Sequence, residues 1–222
     1  VNEIVDVSNI GDYDGSDISD NDDSEGSGYD GVSSSEFITF EWTRTLDNAL
    51  NEDEDIDHGI SGLDGSIYLL GDTFTTETDE SGYEERSYYD SFIRKFDSET
   101  GDKIWTKYLD LTQDDEYGYG EGIATGSDDS VYVIGSLIDD LDDDDVFISK
   151  YDSNTGDNIW TKLIGSTEDD EAEAITIGLD GSIYAAGRTE GDLDNETNNG
   201  ENDAFISKYD SNTGDNIWTK LI

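Results

Sequence analysis

The chain has 222 residues, with 58 Asp and Glu against 11 Lys and Arg, a formal net charge of −47, and no Cys, Met or Pro. Nucleic acid and anionic lipid need Lys and Arg for their recognition, so this charge excludes both as partners. Without Cys there is no disulfide framework, thiolate metal site or thiol redox chemistry, and no apolar run approaches the roughly 18 residues a membrane helix needs.

Residues 1–35 read as an acidic linker. Its "GDYDGSDISDNDDSEGSGYDGVSSS" is Asp, Ser and Gly with scattered Tyr and cannot bury enough apolar surface to offset its ordering entropy. Asp12, Asp14 and Asp17 recur there at the short spacing that suits calcium, which takes six to eight oxygen ligands. The chain begins with Val1 and shows no signal peptide, so it reads as a mature or excised portion of something longer.

From residue 36 a repeat takes over. Trp42, Trp105, Trp160 and Trp218 mark its period of 55 to 63 residues. Each full interval holds four short segments rich in β-branched and aromatic residues. In the third interval they are "AEAITIG", "SIYAAGR", "DAFISKYD" and "NIWTKLI". Turn residues separate them, and no helical period is sustained, so they read as strands. The "LDGS" at Leu63–Ser66 and Leu179–Ser182 predicts a type I′ hairpin turn, and "DSETGD" or "DSNTGD" joins the third strand to the fourth.

Four-stranded meanders of this length are the mark of β-propeller blades. The fold class is therefore all-β: three blades over about 47–109, 110–164 and 165–222, preceded by one strand, "FEWTRTL" at Phe40–Leu46. Three blades make an incomplete ring, or part of a larger propeller.

Asp, Thr, Gly and Trp recur in the order Asp-x-x-Thr-Gly-x-x-x-Trp, carried by Thr100, Gly101 and Trp105, then Thr155, Gly156 and Trp160, then Thr213, Gly214 and Trp218. This resembles the tryptophan-docking motif of quinoprotein propellers, which implies that the Thr-Gly pair makes a tight turn and that the Trp locks neighbouring blades. Lys95, Lys150 and Lys208, and Asp102, Asp157 and Asp215, depart from that motif. "DAFISKYD…IWTKLIGSTEDDEAEAITIGLDGSIYAAGRT" is similar to the SBBP bacterial β-propeller repeat, and "GDLDNETNNGENDAF" to copies in large acidic secreted cyanobacterial proteins. The resemblance implies an extracellular or cell-surface scaffold and names no reaction.

The lysines at 95, 150 and 208 and at 107, 162 and 220 fall in register and suggest ion pairing across strands or blades. His58 aligns with Glu121 and Glu173, and a lone His makes a transition-metal site unsuitable. Calcium is the cofactor expected, held by Asp142, Asp143, Asp144 and Asp145 in one loop and by Asp192, Asp194, Asn195 and Glu196 in the next. Loops entering the blades add Asp53, Glu54, Asp55, Asp114, Asp115, Glu116, Glu168, Asp169 and Asp170. An acidic surface that only keeps the protein soluble accounts for the same carboxylates. The function expected is a non-catalytic structural or adhesion module whose partners are copies of itself or further blades. A propeller binding glycan, matrix or protein is the alternative, and a propeller enzyme the weaker one, since no nucleophile–base–orienter set can be located.

Overall fold

The computed structural model describes residues 53–78, 84–109, 117–138 and 144–222, all inside the compact unit Phe40–Ile222. The described residues form twelve strands and no helix. The first blade is β1 (Asp53–Ser61), β2 (Ile67–Thr78), β3 (Glu84–Phe96) and β4 (Lys103–Tyr108). The second is β5 (Tyr117–Thr125), β6 (Ser130–Ile138), β7 (Asp145–Asp152) and β8 (Asn158–Ile164). The third is β9 (Asp170–Ile177), β10 (Ile183–Thr189), β11 (Asp203–Tyr209) and β12 (Asn216–Leu221). Each set is one antiparallel sheet in meander order.

Strand β5 packs against both β1 and β9. First strands therefore form the inner edge of an arc, and the Trp-bearing fourth strands lie at the opposite edge of each sheet. The three sheets are not closed into a ring.

The core lies between sheets, because successive residues of a strand face opposite sides. Val131 and Val133 of β6 pack with Tyr68, Leu70, Ile93 and Phe147 at the first joint. Their neighbours Tyr132 and Ile134 pack with Ile183, Ala185 and Phe205 at the second. The middle sheet is thus covered on both faces, and β6 is buried along its described length. Among the described residues strand β10 is packed against by a neighbouring sheet on one face only, and it alternates between buried and accessible positions. Each fully buried Val, Ile or Phe contributes roughly 1.5–3 kcal/mol.

The turns after the first strands differ from the type I′ expectation. In the first blade Gly65 N–H donates to Gly62 O (3.1 Å) and Gly62 N–H to Ser66 O (2.8 Å), and only Gly65 has positive φ, at 81°. This is a type I turn closed by one left-handed residue. The loop is longer than two residues, so the strands need no mirror-image turn. The second blade puts Asp129, at φ 55°, where the others have Gly65 and Gly181.

The hairpin between third and fourth strands is organised by its first Asp. Asp152 Oδ1 accepts from the backbone N–H groups of Asn154 (2.9 Å) and Thr155 (3.0 Å), and Gly156 N–H donates to Asp152 O (2.8 Å). Asp97 and Asp210 repeat the arrangement. Gly101, Gly156 and Gly214 take φ of 70°, 71° and 72°, in the left-handed region that costs other residues most.

Candidate functional site: a joining face and an inner row of carboxylates

Two arrangements recur in every blade. The first crosses strands two, three and four. Tyr68 is opposite Lys95, which is opposite Trp105; Tyr132, Lys150 and Trp160 match them, as do Tyr184, Lys208 and Trp218. The ammonium groups lie 5.3, 5.3 and 5.4 Å from the Tyr ring centres, within cation–π reach. Tyr and Trp rings are 5.9, 6.3 and 6.2 Å apart.

Each lysine first meets an Asp from its own blade's first turn: Lys95 with Asp64 (2.8 Å), Lys150 with Asp128 (2.7 Å) and Lys208 with Asp180 (2.7 Å). The first two then reach the next blade. Lys95 donates to Ser153 O (3.0 Å) and Lys150 to Ser211 O (2.9 Å). Trp105 Nε1 joins Lys95 on Ser153 O (3.2 Å). Burial pulls these two ammonium groups down, but hydrogen bonds with Asp64 and Tyr68, or Asp128 and Tyr132, outweigh it and hold them above the ordinary lysine value.

The Thr-Gly turn of one blade packs on the Trp of the blade before it. A Cβ on Gly156 would come 2.7 Å from Lys107 Cγ and 3.1 Å from Trp105 Cδ2, and one on Gly214 would come 2.8 Å from Lys162 Cγ and 3.0 Å from Trp160 Cζ3. Lys107 pairs with Asp157 (2.9 Å) and Lys162 with Asp215 (3.3 Å) across the same joints. Of the positions that depart from the quinoprotein motif, Lys95, Lys150, Asp157 and Asp215 are therefore partners across the joints. Trp105 and Trp160 are half-buried there; Trp218 is 36% exposed. Trp42 lies outside the described residues.

The second arrangement is on the inner edge. Gly71 is opposite Ile56, Gly135 opposite Gly120 and Gly187 opposite Ala172, and each first strand then slips by one residue. The extra residue of each β-bulge is acidic: Asp57, Glu121 and Glu173. The structure thus corrects the alignment of His58 with Glu121 and Glu173; His58 is equivalent to Gly122 and Ala174. The bulge also explains the glycine inside each second strand, Gly71, Gly135 and Gly187. A Cβ there would lie 2.1, 1.9 and 2.1 Å from the carbonyl oxygens of Asp55, Tyr119 and Glu171.

Asp57, Glu121 and Glu173 are all exposed, as bulges beside functional sites often re-aim side chains. Partial burial first, then repulsion from Asp57, Asp72 and Glu173, raises the Glu121 carboxyl above the ordinary glutamate value. Burial, with repulsion from Asp57 and Asp55, likewise raises Asp72 despite its hydrogen bond from Ser91.

Several of the described carboxylates expected to hold calcium accept from donors of the protein itself. Asp192 Oδ1 accepts from Asn198 N–H (2.8 Å), Asp194 Oδ2 from Asn216 Nδ2 (2.9 Å) and Thr219 Oγ1 (2.5 Å), and Glu196 pairs with Lys220. Asp194 and Asn195 have positive φ, 50° and 70°, in the loop that folds back onto β12. Asp144 O accepts from Asp170 N–H (2.7 Å), Asp144 N–H donates to Asp169 Oδ1 (3.4 Å), and Asp145 opens β7. Glu54 makes a bidentate pair with Arg94 at 2.8 and 3.0 Å, both side chains buried. Among the described residues no three His, Cys, Asp or Glu are grouped so as to hold a metal. Asp12, Asp14, Asp17, Asp142 and Asp143 lie outside the described residues.

No protein-family model matches the chain. It is 31% identical over 170 residues to "Regulatory protein FlaEY" of Caulobacter vibrioides, which covers 68% of this chain. The chain spans 17% of that relative's length. The crystal structure of quinohemoprotein alcohol dehydrogenase from Comamonas testosteroni aligns with 76% of this chain and 37% of its own, at 12% identity and a TM-score of 0.43, too weak a likeness to argue from.

Proposed function

We propose that the chain is a non-catalytic structural and binding module, an arc of blades that holds a row of carboxylates along its inner edge for cations. The single observation that carries this reading is the repeated bulge, which gives every blade an exposed acid at the same place: Asp57, Glu121 and Glu173. Self-repulsion at a formal charge of −47 is relieved by bound or screening cations. Oxygen-only donors suit calcium better than zinc or copper. Because no described trio of carboxylates encloses an ion, the mode proposed is bridging along the row.

The bacterial propeller repeat that the sequence resembles implies an extracellular module, a setting in which calcium sites work at about 10⁻⁴–10⁻³ M. We therefore place the module outside the cell or on its surface. The word "regulatory" in the Caulobacter relative's name is compatible with binding in place of catalysis.

The test is thermal melting and titration calorimetry of EDTA-treated protein with calcium, magnesium and sodium at matched ionic strength. Binding of the native state raises Tm. Millimolar calcium should raise Tm beyond the sodium control, and Glu121→Gln should remove part of that increment. Equal effects of calcium and sodium, with no saturable heat, would refute the cation role.

A further inference from the structure

The joining face of the third blade carries the same row as the first two, and nothing described covers it. Lys208 pairs with Asp180, yet among the described residues no carbonyl takes the place that Ser153 O and Ser211 O fill for Lys95 and Lys150. Its side chain is 20% exposed, against 6% and 8% for those two. Trp218 is exposed and Tyr184 only half-buried, whereas Tyr68 and Tyr132 are buried. Among the described residues Lys208 is held only by groups of its own blade, the Trp218 indole beside it is exposed, and the two existing joints show what fits such a row.

We propose that this face is a docking site for a further blade of the same repeat. The occupant must bring an Asp-Ser-x-Thr-Gly-Asp turn between its third and fourth strands. Its Ser carbonyl would accept from Lys208 Nζ, as at both joints, and from Trp218 Nε1, as at the first joint, whereas Trp160 Nε1 at the second has no partner among the described residues. The turn's Gly would lie on the Trp218 ring and the Lys220 stem, and its final Asp would pair with Lys220. Lys220 now pairs with Glu196 of its own blade, whereas Lys107 and Lys162 reach forward to Asp157 and Asp215. Higher on the face, Ala186 and Arg188 stand where the second blade has Ile134 and Ser136. The lower row therefore carries the joint. The last strand also ends as the first blade's does: Ile222 N–H donates to Ala204 O (2.8 Å), as Leu109 N–H does to Ser91 O (2.8 Å). This inference stands on the joints alone and is independent of the cation reading.

Residues 150–164 and 208–222 are identical in sequence, so a second copy of residues 165–222 appended after Ile222 reproduces a native junction. The experiment compares the full chain with this extended chain, both labelled with 5-fluorotryptophan. The Trp218 resonance, assigned by Trp218→Phe, should lose its solvent isotope shift on extension. Replacing the appended copy's counterpart of Gly214 with Val should restore it. As a second measurement, Lys208→Ala should lower Tm little in the original chain but as much as Lys150→Ala does in the extended one. A Trp218 signal still in solvent, or a Lys208→Ala cost equal in both chains, overturns the proposal. So does a concentration-dependent dimer of the original chain that shields Trp218, since the occupant would then be a second copy.

Discussion

Lys95 of the first blade donates a hydrogen bond to the backbone carbonyl of Ser153 in the second, 3.0 Å away and 58 residues on in sequence. This contact joins the Trp105 bond and the Lys107–Asp157 pair in setting one sheet against the next, while the same ammonium is neutralised by Asp64. Hydrogen bonds to charged groups are worth about 1.5–3 kcal/mol. Lys95→Met keeps the stem and removes the donor, so it should cost about 2 kcal/mol in chemical denaturation. The exposed Lys107–Asp157 pair should matter far less: Lys107→Ala should cost under about 1 kcal/mol. Equal losses for the two variants would mean that the joint is held by apolar packing alone.

Gly135 faces the Tyr119 carbonyl so closely that a Cβ would sit 1.9 Å from that oxygen and 2.6 Å from Phe147 Cε1. Backbone on one side and a buried ring on the other leave nowhere to relax. Gly135→Ala should therefore cost about 3 kcal/mol or more, at the upper end of overpacking effects. Gly181→Ala is the control. Nothing lies within 4 Å of its Cβ, but φ is +77°, so only the left-handed penalty of about 1–2 kcal/mol applies. Urea melts of both variants check the order; a cheaper Gly135→Ala would mean that the bulge can be ironed out.

The strands and their order were legible because alternation and Gly-bearing turns are local signals. The bulge was not. Strands "DIDHGIS" and "GYGEGIAT" align by eye on the charged residue beside Gly59 and Gly122, which places His58 with Glu121; pairing with Gly71 and Gly135 moves the match to Asp57. The usable clue was the glycine recurring in each second strand, since a Gly inside a strand marks a close backbone approach. Nor could sequence say which Asp each lysine meets. With 58 acids available, only three-dimensional register selects Asp64 for Lys95 and Asp157 for Lys107.

Asp129 is the one left-handed turn residue after a first strand that is not glycine, at φ 55° where Gly65 and Gly181 have 81° and 77°. A Cβ in that region is strained, while glycine's extra freedom in the unfolded chain offsets part of the relief. Asp129→Gly should stabilise by about 0.5–1 kcal/mol. Its backbone carbonyl, which accepts from Ser153 N–H (3.2 Å), is kept. A fall in Tm would show that the Asp129 side chain holds the turn.

Stability should pass through a maximum on the acid side of neutrality. Backbone N–H groups of Thr100, Thr155 and Thr213 hold the Asp97, Asp152 and Asp210 carboxyls below their ordinary 3.8. Lys208 brings Asp180 down to about 2. Groups with depressed values stabilise the fold above the ordinary value, and that contribution is lost as pH falls through their folded values. Asp72 and Glu121 have the opposite sign. Their folded values lie above the ordinary 3.8 and 4.5, so when ionised at neutral pH they subtract stability. Lowering the pH through those raised values toward the ordinary ones returns it. Melting curves from pH 8 to pH 3 should therefore rise before they fall. Glu121→Gln should flatten the rise and leave the acid fall in place. A Tm that declines steadily from pH 7, or an unchanged profile in Glu121→Gln, would mean that the inner carboxylates do not repel one another in the folded protein.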